Sequence, residues 1–137
     1  MQEEIGKFIK IEELLIPLSK IISKAIYTAR LPNEIAKFTV DLSIERDKKR
    51  LSSRGGGENL FTYDPHHPSW YYLKILKKGN GVWTLTFHLP GERTVDLSND
   101  EVLQGDEIFL EFIDLSFTNA KQPDAVSPVF WIEKRYI

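Results

Sequence analysis

Hydrophobic residues recur at helical spacing in the first thirty positions and at strand spacing over most of the remaining chain. Leu18, Ile21, Ile22, Ala25 and Ala29 fall at i, i+3, i+4, i+7 and i+11, one continuous stripe, while Ser19, Lys20, Ser23, Lys24 and Thr28 fall largely opposite. Pro17 divides this stretch, because proline is welcome in the first turn of a helix but costs about 3 kcal/mol or more in its interior. The pattern predicts a short helix over Glu3–Leu15, a break at Ile16, and a second helix from Pro17 to about Arg30. A single helix kinked at Pro17 is the alternative.

Beyond Leu31-Pro32-Asn33 the period changes to two. Phe38, Val40, Leu42 and Ile44 alternate with Thr39, Asp41, Ser43 and Glu45, which predicts a first strand over 35–45 with one buried face. Residues 46–59 break the pattern with cations, serines and Gly55-Gly56-Gly57, and read as a flexible basic loop. From Ser69 onward the chain reads as β-rich. One strand covers Trp70–Lys77; Asn80-Gly81 signals a primed hairpin turn; Val82–Leu89 is the next strand, with Trp83, Leu85, Phe87 and Leu89 facing inward. Pro90-Gly91 turns the chain into Arg93–Leu97, and Ser98-Asn99-Asp100-Glu101 caps a helical turn before Gly105. Ile108–Phe117 is apolar on both faces, as a central strand would be, and Val129–Tyr136 forms the last strand.

These elements imply one α+β domain over 1–137: a helical segment at 1–30 packed on a mostly antiparallel sheet of five or six strands. A β-sandwich with an external helix is the second architecture compatible with the pattern.

Composition narrows the function classes. The 137 residues carry a net charge of −2 and no cysteine. The charge argues against a dedicated nucleic-acid binder, and the missing cysteines remove disulfides, thiolate nucleophiles and cysteine zinc sites. The start is acidic where a secretory signal would be basic. Lysines and glutamates interrupt the apolar stretch Ile5–Ala29, so no membrane span is expected, and the expected compartment is the cytoplasm.

Three residue groups are candidates for chemistry. Tyr63, Asp64, His66, His67 and Trp70 form a dense polar-aromatic run, and with His88 could line a ligand or metal pocket. Adjacent histidines on extended chain point to opposite sides, however, and no metal-binding spacing is present, so no metal or cofactor is assigned. Arg46, Lys48, Lys49, Arg50 and Arg54 set five cations against Asp47 and could contact an anion or nucleic acid. Glu111 and Asp114, on an apolar strand, read first as structural carboxylates and second as an acid–base pair. No Gly-x-Ser-x-Gly elbow or phosphate-loop motif occurs.

The N-terminal segment supplies a fourth group. Ile5, Phe8, Ile9 and Ile11 exceed what one open sheet face consumes, and surplus apolar helix serves partner grooves or self-assembly. These features read as a non-enzymatic protein-binding or self-assembling module, acting through the N-terminal helix and an aromatic sheet surface. A small ligand- or metal-binding domain around Asp64, His66, His67 and His88 is the alternative, and nucleic-acid contact through Arg46–Arg54 is the third.

Overall fold

The structure, a computed structural model, describes residues 34–134. Among these residues eight strands form two four-stranded sheets in which every strand pairing is antiparallel. The first sheet has the order β1-β8-β3-β6, from β1 (Glu34–Thr39), β8 (Val129–Lys134), β3 (Tyr72–Lys77) and β6 (Glu107–Ile108). The second has the order β2-β7-β4-β5, from β2 (Arg46–Arg50), β7 (Asp114–Asn119), β4 (Thr84–Leu89) and β5 (Arg93–Ser98).

This corrects the expected helix on a single sheet. Among the described residues the only helical elements are the 3-10 turns Arg54–Gly56 and Asn99–Glu101. The helical segment expected over 1–30, with its break at Pro17, lies outside the described residues. The layer that covers the first sheet is a second sheet. Leu73, Ile75, Phe130 and Ile132 from one and Leu85, Phe87, Leu115 and Phe117 from the other belong to one buried cluster. Aromatic rings join the layers directly: Phe130 lies 5.5 Å from Trp83 and 6.2 Å from Phe117, both edge-on.

Period-2 alternation builds both layers. In β4, Leu85, Phe87 and Leu89 are buried while Thr84 and His88 are half-exposed on the outer face. In β7, Leu115 and Phe117 enter the core and Asp114, Ser116 and Thr118 lie on the opposite face. The stretch expected as one strand over Ile108–Phe117 is two elements. β6 is short, Phe112 turns inward to bridge Trp70, and β7 starts at Asp114 in the other sheet. The expected first strand is likewise shorter. β1 ends at Thr39, Val40 and Leu42 continue into the core from the connection, and Ile44 is 55% exposed.

Six of the seven connections cross from one sheet to the other; only β4 and β5 form a hairpin. The Asn80-Gly81 turn, expected to join neighbouring strands, therefore carries the chain between layers. Its geometry explains why: Gly81 is buried against Leu42, Gln122 and Ala125, and Trp83 goes straight into the core. Residues 46–59, expected as a loop, contain β2 and a 3-10 turn.

The registers place the connections 40–45, 78–83, 99–106 and 120–128 so that each leaves a strand at one common end of the sandwich. The opposite end carries 51–71, the β4–β5 hairpin and 109–113, together with the beginning of β1 and the end of β8.

Candidate functional site

Among the described residues, two surfaces gather polar or exposed apolar side chains. The first lies on the solvent side of the second sheet. His88 stands opposite Asp114, Thr86 opposite Ser116, and Arg50 opposite Ser116 on the other side. His88 Nε2 and Ser116 Oγ are 2.6 Å apart. Arg50 Nη1 donates to Asp114 Oδ2 at 2.6 Å, and the Asp114 side chain is fully buried. Asp114 Oδ1 accepts the Leu115 amide at 2.8 Å, and Thr86 Oγ1 donates to Asp96 Oδ1 at 2.7 Å. Partial burial and the Arg50 guanidinium hold His88 below the ordinary imidazole range, with Asp114 opposing. The environment thus favours the neutral imidazole of His88.

A serine hydroxyl against a neutral imidazole is the opening geometry of a nucleophile and its base. The rest of an acyl-transfer site does not assemble around it. Ser116 is 2% exposed on a strand paired on both sides, so its neighbouring amides are engaged in ladders rather than aimed at a developing oxyanion. What the patch offers instead is donors. Arg54 stacks its guanidinium 4.8 Å over the Tyr63 ring, and its charge, like that of Arg50, bears on His88.

The structure thus brings together members of two separate sequence groups, Arg50 and Arg54 from the basic run and Tyr63 and His88 from the polar-aromatic run. Other members go elsewhere. Arg46 is buried: it pairs with Glu58, donates to the Asp41 carbonyl at 2.6 Å and to Asn119 Oδ1 at 3.2 Å, and so is a structural cation. Lys49 Nζ donates to the Gly56 carbonyl at 3.1 Å, and Lys48 is exposed at φ 51° in a bulge. Asp64 accepts the His66 amide at 2.9 Å, a bond that holds its carboxyl below the usual range. His66 and His67 lie exposed on that turn. Trp70 is core: Lys134, itself fully buried, sits 4.7 Å over its ring and donates to the His67 carbonyl at 2.5 Å. Glu111 accepts from the Ser69 hydroxyl at 2.7 Å. Among the described residues no three His, Asp or Glu side chains converge as a metal-holding group. Ile5, Phe8, Ile9 and Ile11 lie outside the described residues.

Sequence reading missed the second surface, the end built from the four connections. Each presents one exposed aliphatic residue: Ile44 at 55%, Val82 at 70%, Leu103 at 70% and Val126 at 48% exposure. Polar side chains lock the loops beneath them. Asn119 Nδ2 donates to the Ile44 carbonyl at 2.9 Å. Gln122 bridges both ways to Val82, accepting its amide and donating to its carbonyl at 2.8 Å each. Asn80 Oδ1 accepts the Val126 amide at 2.7 Å, and Asn99 Oδ1 accepts the Trp83 amide at 2.9 Å. Beside Val82 lies a shallow cavity of about 430 Å³ lined by Val82, Trp83, Thr84, Thr118, Asn119, Ala120 and Gln122. The available sequence signal was the set of lone aliphatics inside polar turns, a pattern visible only once the loops share an end.

No helix among the described residues is long and apolar enough to cross a membrane. No family model, curated protein or solved structure matches this chain.

Proposed function

We propose that this chain is a non-enzymatic binding module that engages an apolar surface of another protein through the loop-built end of its sandwich. One observation carries the reading: four connections at the same end each expose an aliphatic side chain, on backbones pinned by Asn80, Asn99, Asp106, Asn119 and Gln122. Scattered apolar residues on a surface are ordinary, but a cluster of them on one set of loops marks a contact surface. Loops held by a rigid scaffold are where binding residues concentrate. Pinning reduces the entropy lost when a partner docks. A shallow cavity suits a protein surface better than an enclosed small molecule. The lack of cysteine fits a reducing compartment, and we assign the module to the cytoplasm.

The test is selection of binding peptides from a random library against the folded chain, followed by mapping with amide chemical shifts. Shifts are expected at Val82, Leu103, Gln122 and Val126. Shifts confined to His88, Arg50 and Arg54, or no selectable peptide, would overturn the reading.

A second reading rests on the other surface. Arg50, opposite Ser116, and Arg54, whose charge bears on His88, keep guanidinium nitrogens beyond the Asp114 bond and the Tyr63 stack. Such an array suits a carboxylate or phosphate group. Titration with inorganic phosphate while following the His88 ring resonances checks it: a saturable shift that Arg54→Ala abolishes supports anion binding, and an unsaturable one excludes it.

A further inference from the structure

Among the described residues the two sheets have four edge strands, β1, β6, β2 and β5. An open edge presents unpaired amides and carbonyls to any strand of matching pattern, and native proteins protect edges with short strands, bulges, lysines or proline. Three of these edges are protected. β6 has two residues. β2 is bulged between Arg46 and Lys49, with Lys48 at φ 51° and an excess of cations. β1 carries exposed Lys37. β5 is the least protected: its charges are Arg93, opposite Leu89 on the inner face, and Asp96, and it has no bulge. Its six residues pair with β4 in unbroken register, contain neither lysine nor proline, and include four exposed positions in a row, Arg93 to Asp96.

β5 also leaves the core incompletely closed. Val95 lies opposite Phe87, a core residue, and so points to the inner face, yet it remains 44% exposed. Leu97, opposite Leu85, is only partly buried. A strand added here would extend the sheet and the core together.

We infer that β5 pairs antiparallel with β5 of a second copy of this chain, about a two-fold axis passing beside Val95. The register is set by faces and charges. A two-fold axis normal to the sheet keeps inward residues inward, so only residues of the same face can stand opposite each other. Centring on Leu97 or Ser98 leaves three residues of β5 or fewer paired within the strand. Centring on Asp96 sets two carboxylates directly opposite, centring on Thr94 sets Glu92 against the second copy's Asp96, and centring on Arg93 sets two guanidinium groups together. These last three are excluded by charge, because like charges directly opposite destabilise a strand pair. Centring on Val95 opposes Val95 with Val95, Arg93 with Leu97, and Thr94 with Asp96. The arginine stem then covers leucine while its charge reaches water. Asp96, whose Oδ1 already accepts from Thr86, keeps Oδ2 for the incoming Thr94 hydroxyl. Five residues per copy make a small interface, so the dimer is weak and concentration-dependent.

The chain's lack of cysteine makes the register directly testable. Opposed Cα atoms in an antiparallel pair lie about 4.5–5.5 Å apart, within disulfide reach. In the full-length chain, Val95→Cys is expected to form a covalent dimer under mild oxidation. Thr94→Cys and Asp96→Cys are expected to cross-link when mixed but not separately, and Val82→Cys on the loop-built end is expected to stay monomeric. Sedimentation equilibrium of the unmodified chain should show a dimer that Val95→Lys weakens about fivefold, with an unchanged circular dichroism spectrum. A chain that is monomeric at about 0.5 mM overturns the proposal. So does association that cross-links through Val82→Cys and not through Val95→Cys, which would assign self-contact to the loops.

Discussion

His88 shows how one side chain turns a local environment into a measurable property. Its imidazole is held below the ordinary value of 6.5 by burial first and by Arg50 second. A base whose folded pKa is lowered binds fewer protons in the folded chain than in the unfolded one, so stability rises with pH between the two values. The contribution is present above 6.5 and is lost as pH falls from there toward the folded value. Urea midpoints measured from about pH 7.5 down to pH 5 are expected to decline, and His88→Asn, which can still bond Ser116, is expected to flatten that slope. The carboxyls of Asp41 and Asp64, held low by backbone bonds from Ser43 and His66, act only in a separate window near and below 3.8. A lysine- and arginine-rich run gives a different lesson. Its charge was legible in the sequence, but the partners that consume it were not. Arg46 meets Glu58 twelve residues away and Asn119 seventy-three away, distances at which local pattern carries no information. Because the Arg46 side chain is 3% exposed, Arg46→Met is expected to cost about 3–5 kcal/mol, leaving Glu58 and the Asp41 carbonyl unpaired. Exposed Lys48→Ala should change the unfolding free energy by less than about 0.5 kcal/mol.

Two glycine turns separate what local chemistry decides from what packing decides. Pro90-Gly91 and Asn80-Gly81 read alike in the sequence, and both reverse the chain. The first closes the β4–β5 hairpin, whereas the second carries the chain from β3 in one sheet to β4 in the other. Turn residues specify the reversal; the side chains beyond the turn choose the sheet, and here Trp83 inserts between the layers against Phe117 and Phe130. The two positions should also fail differently. At Gly91, φ is +84° and a Cβ would meet open space, so Gly91→Ala carries only the strain of a left-handed residue, about 1–2 kcal/mol. A Cβ on Gly81 would stand 2.3 Å from Leu42 Cδ1 and 2.8 Å from Gln122 Oε1. Leu42 is fully buried and Gln122 pins Val82, so Gly81→Ala is expected to cost about 1–3 kcal/mol and to loosen the 78–83 and 120–128 connections. Hydrogen exchange at the Val82 and Val126 amides distinguishes the two: faster exchange at both is expected from Gly81→Ala and not from Gly91→Ala.

At the scale of the molecule, alternation in β4 and β7 was legible because inward aliphatics and aromatics stand every second residue. The number of layers was not, since period-2 alternation reports that one face is covered and is silent about what covers it. An amphipathic stripe upstream made a helix the available cover, and the many inter-sheet crossings left no local mark. The structure relocates the covering surface. Phe38, Leu73, Ile75, Phe130 and Ile132 are matched by Leu85, Phe87, Leu115 and Phe117, with Phe61, Trp70 and Phe112 closing one end through ring contacts of 5.3–5.6 Å. Two sheets that cover each other need no helix for that purpose. A chain beginning at Leu31 is therefore expected to unfold in one cooperative transition, with coincident near- and far-ultraviolet circular dichroism curves. Its denaturant slope should scale with its shorter length, and it should bind no anilinonaphthalene sulfonate before the transition. If instead near-ultraviolet signal is lost early and dye binds in native buffer, the first thirty residues complete the core. The stripe of Leu18, Ile21, Ile22, Ala25 and Ala29 would then be structural. If the shortened chain melts cooperatively, that stripe and the group Ile5, Phe8, Ile9 and Ile11 are free to serve a contact beyond the sandwich, because a core already closed has no use for them.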